Sequence, residues 1–176
     1  SAAREGEQAA AVAIPAMPQK TDKVRRIYRD FIIPTKEDGR LTKIAFQNED
    51  KFNFAFDIVD KLADRQPEKL AMLHLSENMT ERRFTFADMK KESARTANYF
   101  KSLGIRKGDR VMMVLKRHYQ YWFSVLALHK LGAIAIPATN QLLEKDFTYR
   151  FQAGKVKAIL CTADGSVADA VDAAAE

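Results

Sequence analysis

The sequence predicts an α/β fold, a mostly parallel sheet flanked by helices. Three observations predict it. Short continuous apolar runs recur after residue 109, at Arg110–Leu115, Ala133–Pro137 and Lys157–Cys161, the pattern of strands buried on both faces. Segments with apolar residues at helical spacing separate these runs, as in βαβ units. Glycines punctuate the joints, with Gly104 and Gly132 closing two of the helical segments.

Each element follows in order. Ser1–Gln19 is Ala-rich and aperiodic with Pro15 and Pro18, and reads as a disordered tail. Residues 20–51 form an N-terminal arm in which Val24, Ile27, Tyr28 and Phe31 sit at helical spacing, ended by Pro34. From Phe52 to Glu176 the pattern is that of an incomplete α/β subdomain. Phe56, Val59, Leu62 and Ala63 make Asp57–Arg65 an amphipathic helix, which Pro67 stops. Leu70–Leu75 and Arg82–Phe86 read as strands of a hairpin around the turn-like Ser76–Thr80. Thr85 and Asp88 have capping-box spacing before a helix striped by Met89, Ser93, Ala97, Phe100 and Leu103. Tyr119–Leu131 is apolar almost all round, so it is expected to be buried on most sides. Glu144–Ala153 is a helix with Phe147 and Phe151 on one face, and Ser166–Glu176 is a weak Ala-rich helix.

Composition narrows the function. The net charge is +6, and Cys161 is the lone cysteine, which excludes a disulfide framework and a cysteine metal cluster. A reducing cytoplasm is the expected compartment. No apolar run reaches the roughly 18 residues of a membrane span. The seven glycines form neither G-x-G-x-x-G nor G-x-x-x-x-G-K-[ST], so dinucleotide and Walker phosphate sites are absent from the sequence. His74, His118 and His129 show no metal spacing and read as packing or surface groups, and no G-x-S-x-G elbow occurs. No catalytic or metal-ligating residue is assigned. Eleven Lys or Arg between Arg82 and Arg117 face only Asp88, Glu92 and Asp109. That cluster suits phosphate attraction or a solvated face, and it lacks the interleaved aromatics of a base-stacking surface.

Three segments together carry a resemblance: FNFAFDIVDKLA from Phe52, FTFADMKKESARTANYFKSLGIRKGDRVMMVL from Phe84, and LGAIAIPATNQLLEKDFTYRFQAGKVKAIL from Leu131. They resemble the N-terminal subdomain of the AMP-forming acyl-CoA synthetases, in the adenylate-forming superfamily. The P-x-T-x-Q-L and D-x-x-Y-R stretches are similar to the medium-chain acyl-CoA synthetase branch. The resemblance covers Phe52 to Cys161. It implies that the parent protein joins a carboxylic acid to CoA through an acyl-adenylate, using ATP and Mg²⁺ and releasing AMP and pyrophosphate. It also implies that the phosphate loop, the magnesium segment, the ribose-binding Asp and the catalytic Lys lie downstream of the matched region, so the fragment itself is expected to be inactive and to bind none of these cofactors tightly. Its expected partners are the carboxylic acid, ATP, CoA and the remainder of its own polypeptide, with no nucleic acid and no membrane span. In the medium-chain branch the Gln of P-x-T-x-Q lies at the CoA tunnel. This implies CoA proximity for Gln141, with Thr139 and Asn140 as neighbours; a purely structural role for Asn140 and Gln141, capping the turn before the Glu144 helix, stays open. Acetate-activating relatives carry an Arg-containing segment after the position of Cys161, whereas residues 162–171 here read TADGSVADAV, which disfavours that branch. Two further readings stay open: a self-contained α/β ligand-binding or regulatory module, and a basic nucleic-acid-binding domain.

Overall fold

The structure, a computed structural model, describes residues 27–163 and 165–175. The tail expected over Ser1–Gln19 lies outside the described residues, as does Val24 of the arm.

The centre is strand β5 (Arg110–Val114), flanked by β6 (Ile134–Pro137) and β7 (Ala158–Cys161) in a parallel sheet of order β6-β5-β7. Val111 to Val114 are all buried, which explains their unbroken apolar run. Successive side chains point to opposite faces. Val111 and Met113 pack on helices α2 (Phe86–Ser102) and α3 (Gln120–Leu131), against Phe100, Ala127 and Leu128. Met112 and Val114 pack on α4 (Glu144–Gly154) and α5 (Gly165–Ala175), against Phe147, Val167 and Val171. The predicted helix-covered parallel sheet is therefore present.

Helix α3 is apolar almost all round because it serves two cores. Ala127 and Leu128 face the sheet, while Phe123 and Leu126 join Ala55, Val59 and Met89 in a second cluster beneath an antiparallel hairpin. Trp122 departs from the expected burial and is 52% exposed. The hairpin pairs β3 (Leu70–Leu75) with β4 (Glu81–Thr85), as the sequence predicts. The capping box also forms: the Asp88 amide N–H donates to Thr85 Oγ1 at 3.2 Å, and the Thr85 N–H donates to Asp88 Oδ2 at 2.8 Å. The helix expected from Asp57 begins earlier, as a π-helical stretch Ala55–Asp60 that continues into α1 (Lys61–Arg65).

The arm is different from its expected form. Its helical spacing is realised only as a 3₁₀ turn, Ile27–Asp30, and Pro34 does not end a helix. Pro34 lies within β1 (Ile32–Glu37), which pairs antiparallel with β2 (Arg40–Phe46). Asp38 and Gly39 join the strands with φ of 47° and 77°, the left-handed pair that a two-residue hairpin turn requires.

Gly132 ends α3 at φ 68°, where a Cβ would lie 3.1 Å from Lys107 Cγ. Handedness and crowding both favour glycine there. At the amino ends of the strands, Lys157 Nζ lies 2.7 Å from Asp109 Oδ2, which also accepts the Arg106 N–H at 2.6 Å. The Lys157 hydrogen bond, followed by that from Arg106, holds the Asp109 carboxyl below the usual carboxylate range. A depressed folded value stabilises the fold above the unfolded carboxyl's pKa of about 4, and the contribution is lost as pH falls through the lower folded value. We expect Asp109→Asn to be less stable at neutral pH and to lose part of the acid dependence below about pH 4. Urea unfolding from pH 3 to 7 reads this, and parallel curves for both proteins would contradict it.

Candidate functional site: a cleft at the carboxyl ends of β5 and β6

The chain leaves β5 for α3 on one face of the sheet and leaves β6 for α4 on the other. Loops that diverge to opposite faces open a crevice at the carboxyl ends of adjacent parallel strands, where ligands collect in open α/β sheets. A cavity of about 970 Å³ lies there. Its walls are the β5–α3 loop (Leu115–His118), the segment after β6 (Ala138–Asn140) and the tip of the β3–β4 hairpin, from His74 through Met79.

Specific contacts hold these walls. The Ala138 N–H donates to the Met113 carbonyl at 2.9 Å, which continues the sheet ladder into the cleft. His74 Nε2 lies 3.1 Å from the Arg117 carbonyl. A carbonyl only accepts, so Nε2 is the donor in this bond. Tyr119 meets His74 in a T-shaped contact at 5.3 Å, lies tilted beside Phe84 at 5.0 Å and sits under the Arg82 guanidinium at 5.4 Å. These contacts join the hairpin to the first turn of α3 as one wall. In the hairpin tip, Ser76 Oγ lies 2.8 Å from Asn78 Oδ1, and the Thr80 N–H donates to the same oxygen at 3.1 Å.

Thr139 and Asn140 line the cavity. Gln141 occupies the adjoining turn, exposed and outside the lining, and its N–H donates to Thr139 Oγ1 at 3.3 Å. The start of α4 is capped by Asp146, whose carboxylate accepts the Leu143 N–H at 3.0 Å.

Four cleft residues were not singled out as site residues from sequence: His74, Lys116, Arg117 and His118. The histidines carry no spacing signal, and the bond from His74 to Arg117 spans 43 residues. His129 lies elsewhere, in edge contact with Phe54, and burial pushes its pKa down. The rest of the basic cluster is dispersed. Lys90 pairs with Asp64, Arg95 with Glu92 and Arg83 with Glu81, while Arg110 donates to the Gly154 carbonyl.

Among the described residues, Lys116, Arg117 and Glu77 line the cleft together with Ser76, Thr139 and Asn140. That lining is polar and suits an anionic ligand. No group of three or more His, Cys, Asp or Glu that could hold a metal occurs among the described residues, and no glycine-rich phosphate loop occurs in the sequence. No step through ATP or Mg²⁺ is assigned to these side chains. Among the described residues, no helix is long and apolar enough to cross a membrane.

A three-stranded parallel sheet that opens a polar cleft at its switch point, with a hairpin as one wall, belongs to the open α/β architectures, which collect ligands at the carboxyl ends of their strands. The chain belongs to the AMP-binding enzyme family, whose pattern it matches over residues 59–176. It is 36% identical over 128 residues to the mitochondrial acyl-coenzyme A synthetase ACSM5 of Rattus norvegicus, covering 69% of this chain and 22% of that protein. It is 30% identical over 165 residues to the mitochondrial acyl-coenzyme A synthetase ACSM3 of Mus musculus, covering 88% of this chain and 28% of that protein. In three dimensions it is similar to the N-terminal domain of FACL13 from Mycobacterium tuberculosis, with a TM-score of 0.64 and 26% identity over 71% of this chain and 31% of that one. The chain spans about a quarter of the length of these curated relatives.

Proposed function

We propose that the chain is the N-terminal part of an ATP-dependent, AMP-forming acyl-CoA synthetase, and that its cleft is the thiol-side wall of that enzyme. The parent converts a carboxylic acid, ATP and CoA into acyl-CoA, AMP and pyrophosphate. The observation that carries this reading is the cleft at the β5/β6 switch point, in a chain whose relatives are named acyl-coenzyme A synthetases. Residues 52–176 form the α/β subdomain in this reading, with 20–51 as an arm. The groups that activate the carboxylate with ATP and Mg²⁺ come from the remainder of the polypeptide, so the chain alone is inactive. The cytoplasm is the proposed compartment.

Within the cleft, Thr139 and Asn140 offer a hydroxyl and an amide to the pantetheine portion of CoA, and Gln141 stands at the rim. The test is Gln141→Ala in the complete enzyme. We expect the KM for CoA to rise about tenfold, as on loss of a polar contact to the thiol substrate, with adenylate formation unchanged. An unchanged KM for CoA removes Gln141 from the site.

A further inference from the structure

We propose that strand β2 is the docking edge for a second copy of this chain, the two β2 strands pairing antiparallel about a two-fold axis at Ala45. The β1–β2 hairpin is a sheet of its own, and no residue of either strand belongs to the three buried apolar clusters of the described residues. It is tied to the rest at its base, where the Gln47 N–H donates to the Phe31 carbonyl at 2.8 Å and the Phe31 ring meets Phe52 in a T-shaped contact at 5.1 Å. A two-stranded hairpin left alone is marginal in water and gains by adding strands. Its two edges differ. Opposed residues of an antiparallel pair alternate between bonding each other and turning their N–H and C=O groups away. The Gln47–Phe31 bond sets the phase. Ile32 lies opposite Phe46, Ile33 opposite Ala45 and Pro34 opposite Ile44, so the backbone groups of residues 32, 34, 44 and 46 face outward. On β1 one of these is Pro34, which has no N–H and so blunts that edge. On β2 they are Ile44 and Phe46, which both keep their N–H and whose side chains are 44% and 59% exposed. The β2 edge also fits its own copy. About an axis at Ala45, Ile44 of each copy lies opposite Phe46 of the other, so each outward N–H of these residues meets an outward carbonyl. Ala45 on the axis has a short side chain, as the close approach of a non-bonded pair requires. Lys43 falls opposite the neutral Gln47, so no like charges are opposed. Antiparallel pairing further brings the basic end of β2, with Arg40 and Lys43, toward Glu49 and Asp50 of the other copy, all of them exposed. That charge complementarity favours a second copy over an unrelated strand, and the contact closes as an isologous dimer.

The inference is independent of the acyl-CoA synthetase reading, which stands whether or not the protein dimerises. Sedimentation velocity of the complete polypeptide over a concentration series up to about 100 μM tests it, and a dimer is expected. Ile44→Pro removes the outward N–H while leaving the bonds between β2 and β1 in place, and should weaken dimerisation by about tenfold or more. Because proline also shortens the side chain, a charge exchange gives a second route. Arg40→Glu and Asp50→Lys should each weaken the dimer about threefold, and the double variant should restore most of the loss. A monomer at every concentration would overturn the proposal. A dimer that ignores both Ile44→Pro and the charge exchange would overturn it as well, by placing the contact on another surface. Hydrogen exchange at the Ile44 and Phe46 amides supplies the remaining arm. Protection that rises with dimer concentration would support the proposal, whereas full protection in a monomer would overturn it by showing that another strand of the same polypeptide covers the edge.

Discussion

Phe147→Ala is expected to destabilise the chain by about 3–5 kcal/mol, the range for truncating a fully buried aromatic. Phe147 has no exposed surface and lies among Met112, Val114, Val167 and Val171, so it joins α4 and α5 to one face of the sheet. Removing the ring withdraws apolar contact and leaves a cavity that three separate elements would have to move to fill. Small domains hold about 5–15 kcal/mol in total, so the variant should sit near the edge of folding. Tyr149→Ala on the same helix gives the contrast. Tyr149 is 71% exposed, and its loss should change stability by no more than about 0.5 kcal/mol. Urea unfolding of both variants measures the difference. Equal effects would mean that α4 does not dock on β5 as described.

Asp60→Ala is expected to cost about 3–5 kcal/mol, because it strands a buried cation. Lys130 Nζ lies 2.9 Å from Asp60 Oδ1, with side-chain exposures of 7% and 14%. It also lies 3.3 Å from the Lys90 carbonyl and 5.6 Å from the centre of the Phe56 ring. One ammonium therefore ties α3 to the π-helical stretch and to α2. The attraction of such a pair is largely offset by desolvation, so the pair itself adds little; its half-removal does the damage. The double variant Asp60→Leu, Lys130→Met should recover most of the loss. A single-variant cost below about 1 kcal/mol would show that water reaches Lys130 in solution.

How far the sequence was legible depended on burial. The β5 run and the α3 pattern were readable because each residue's surroundings follow from its apolar character: both faces of β5 are covered, and α3 lies between two cores. Helix α2 declared its start through Thr85 and Asp88, a purely local signal. The β1–β2 hairpin was missed because its side chains are almost all exposed. With no covered face there is no period-two alternation to read, and the spacing of Ile27, Tyr28 and Phe31 imitated a helix. Asp38-Gly39 was the available signal, since that pair marks a tight hairpin turn without help from burial. In the cleft, the places of Thr139 and Asn140 at the carboxyl end of β6 were legible from the apolar strand they follow, whereas their role, like that of Gln141 just outside the lining, was taken from the family resemblance. His74 and Arg117 were not, because their meeting depends on how the hairpin docks beside α3, through aromatic contacts on Tyr119.

In the proposed reading this chain supplies the scaffold and the thiol-side cleft of an acyl-CoA synthetase, while activation of the acid depends on other parts of the same polypeptide. ATP–pyrophosphate exchange, measured on the chain and on the complete polypeptide with a panel of carboxylic acids, tests it most directly. Exchange is expected from the complete polypeptide with at least one acid and not from the chain, even at stoichiometric amounts. Exchange by the chain alone, or none by the complete polypeptide with any acid, would contradict it.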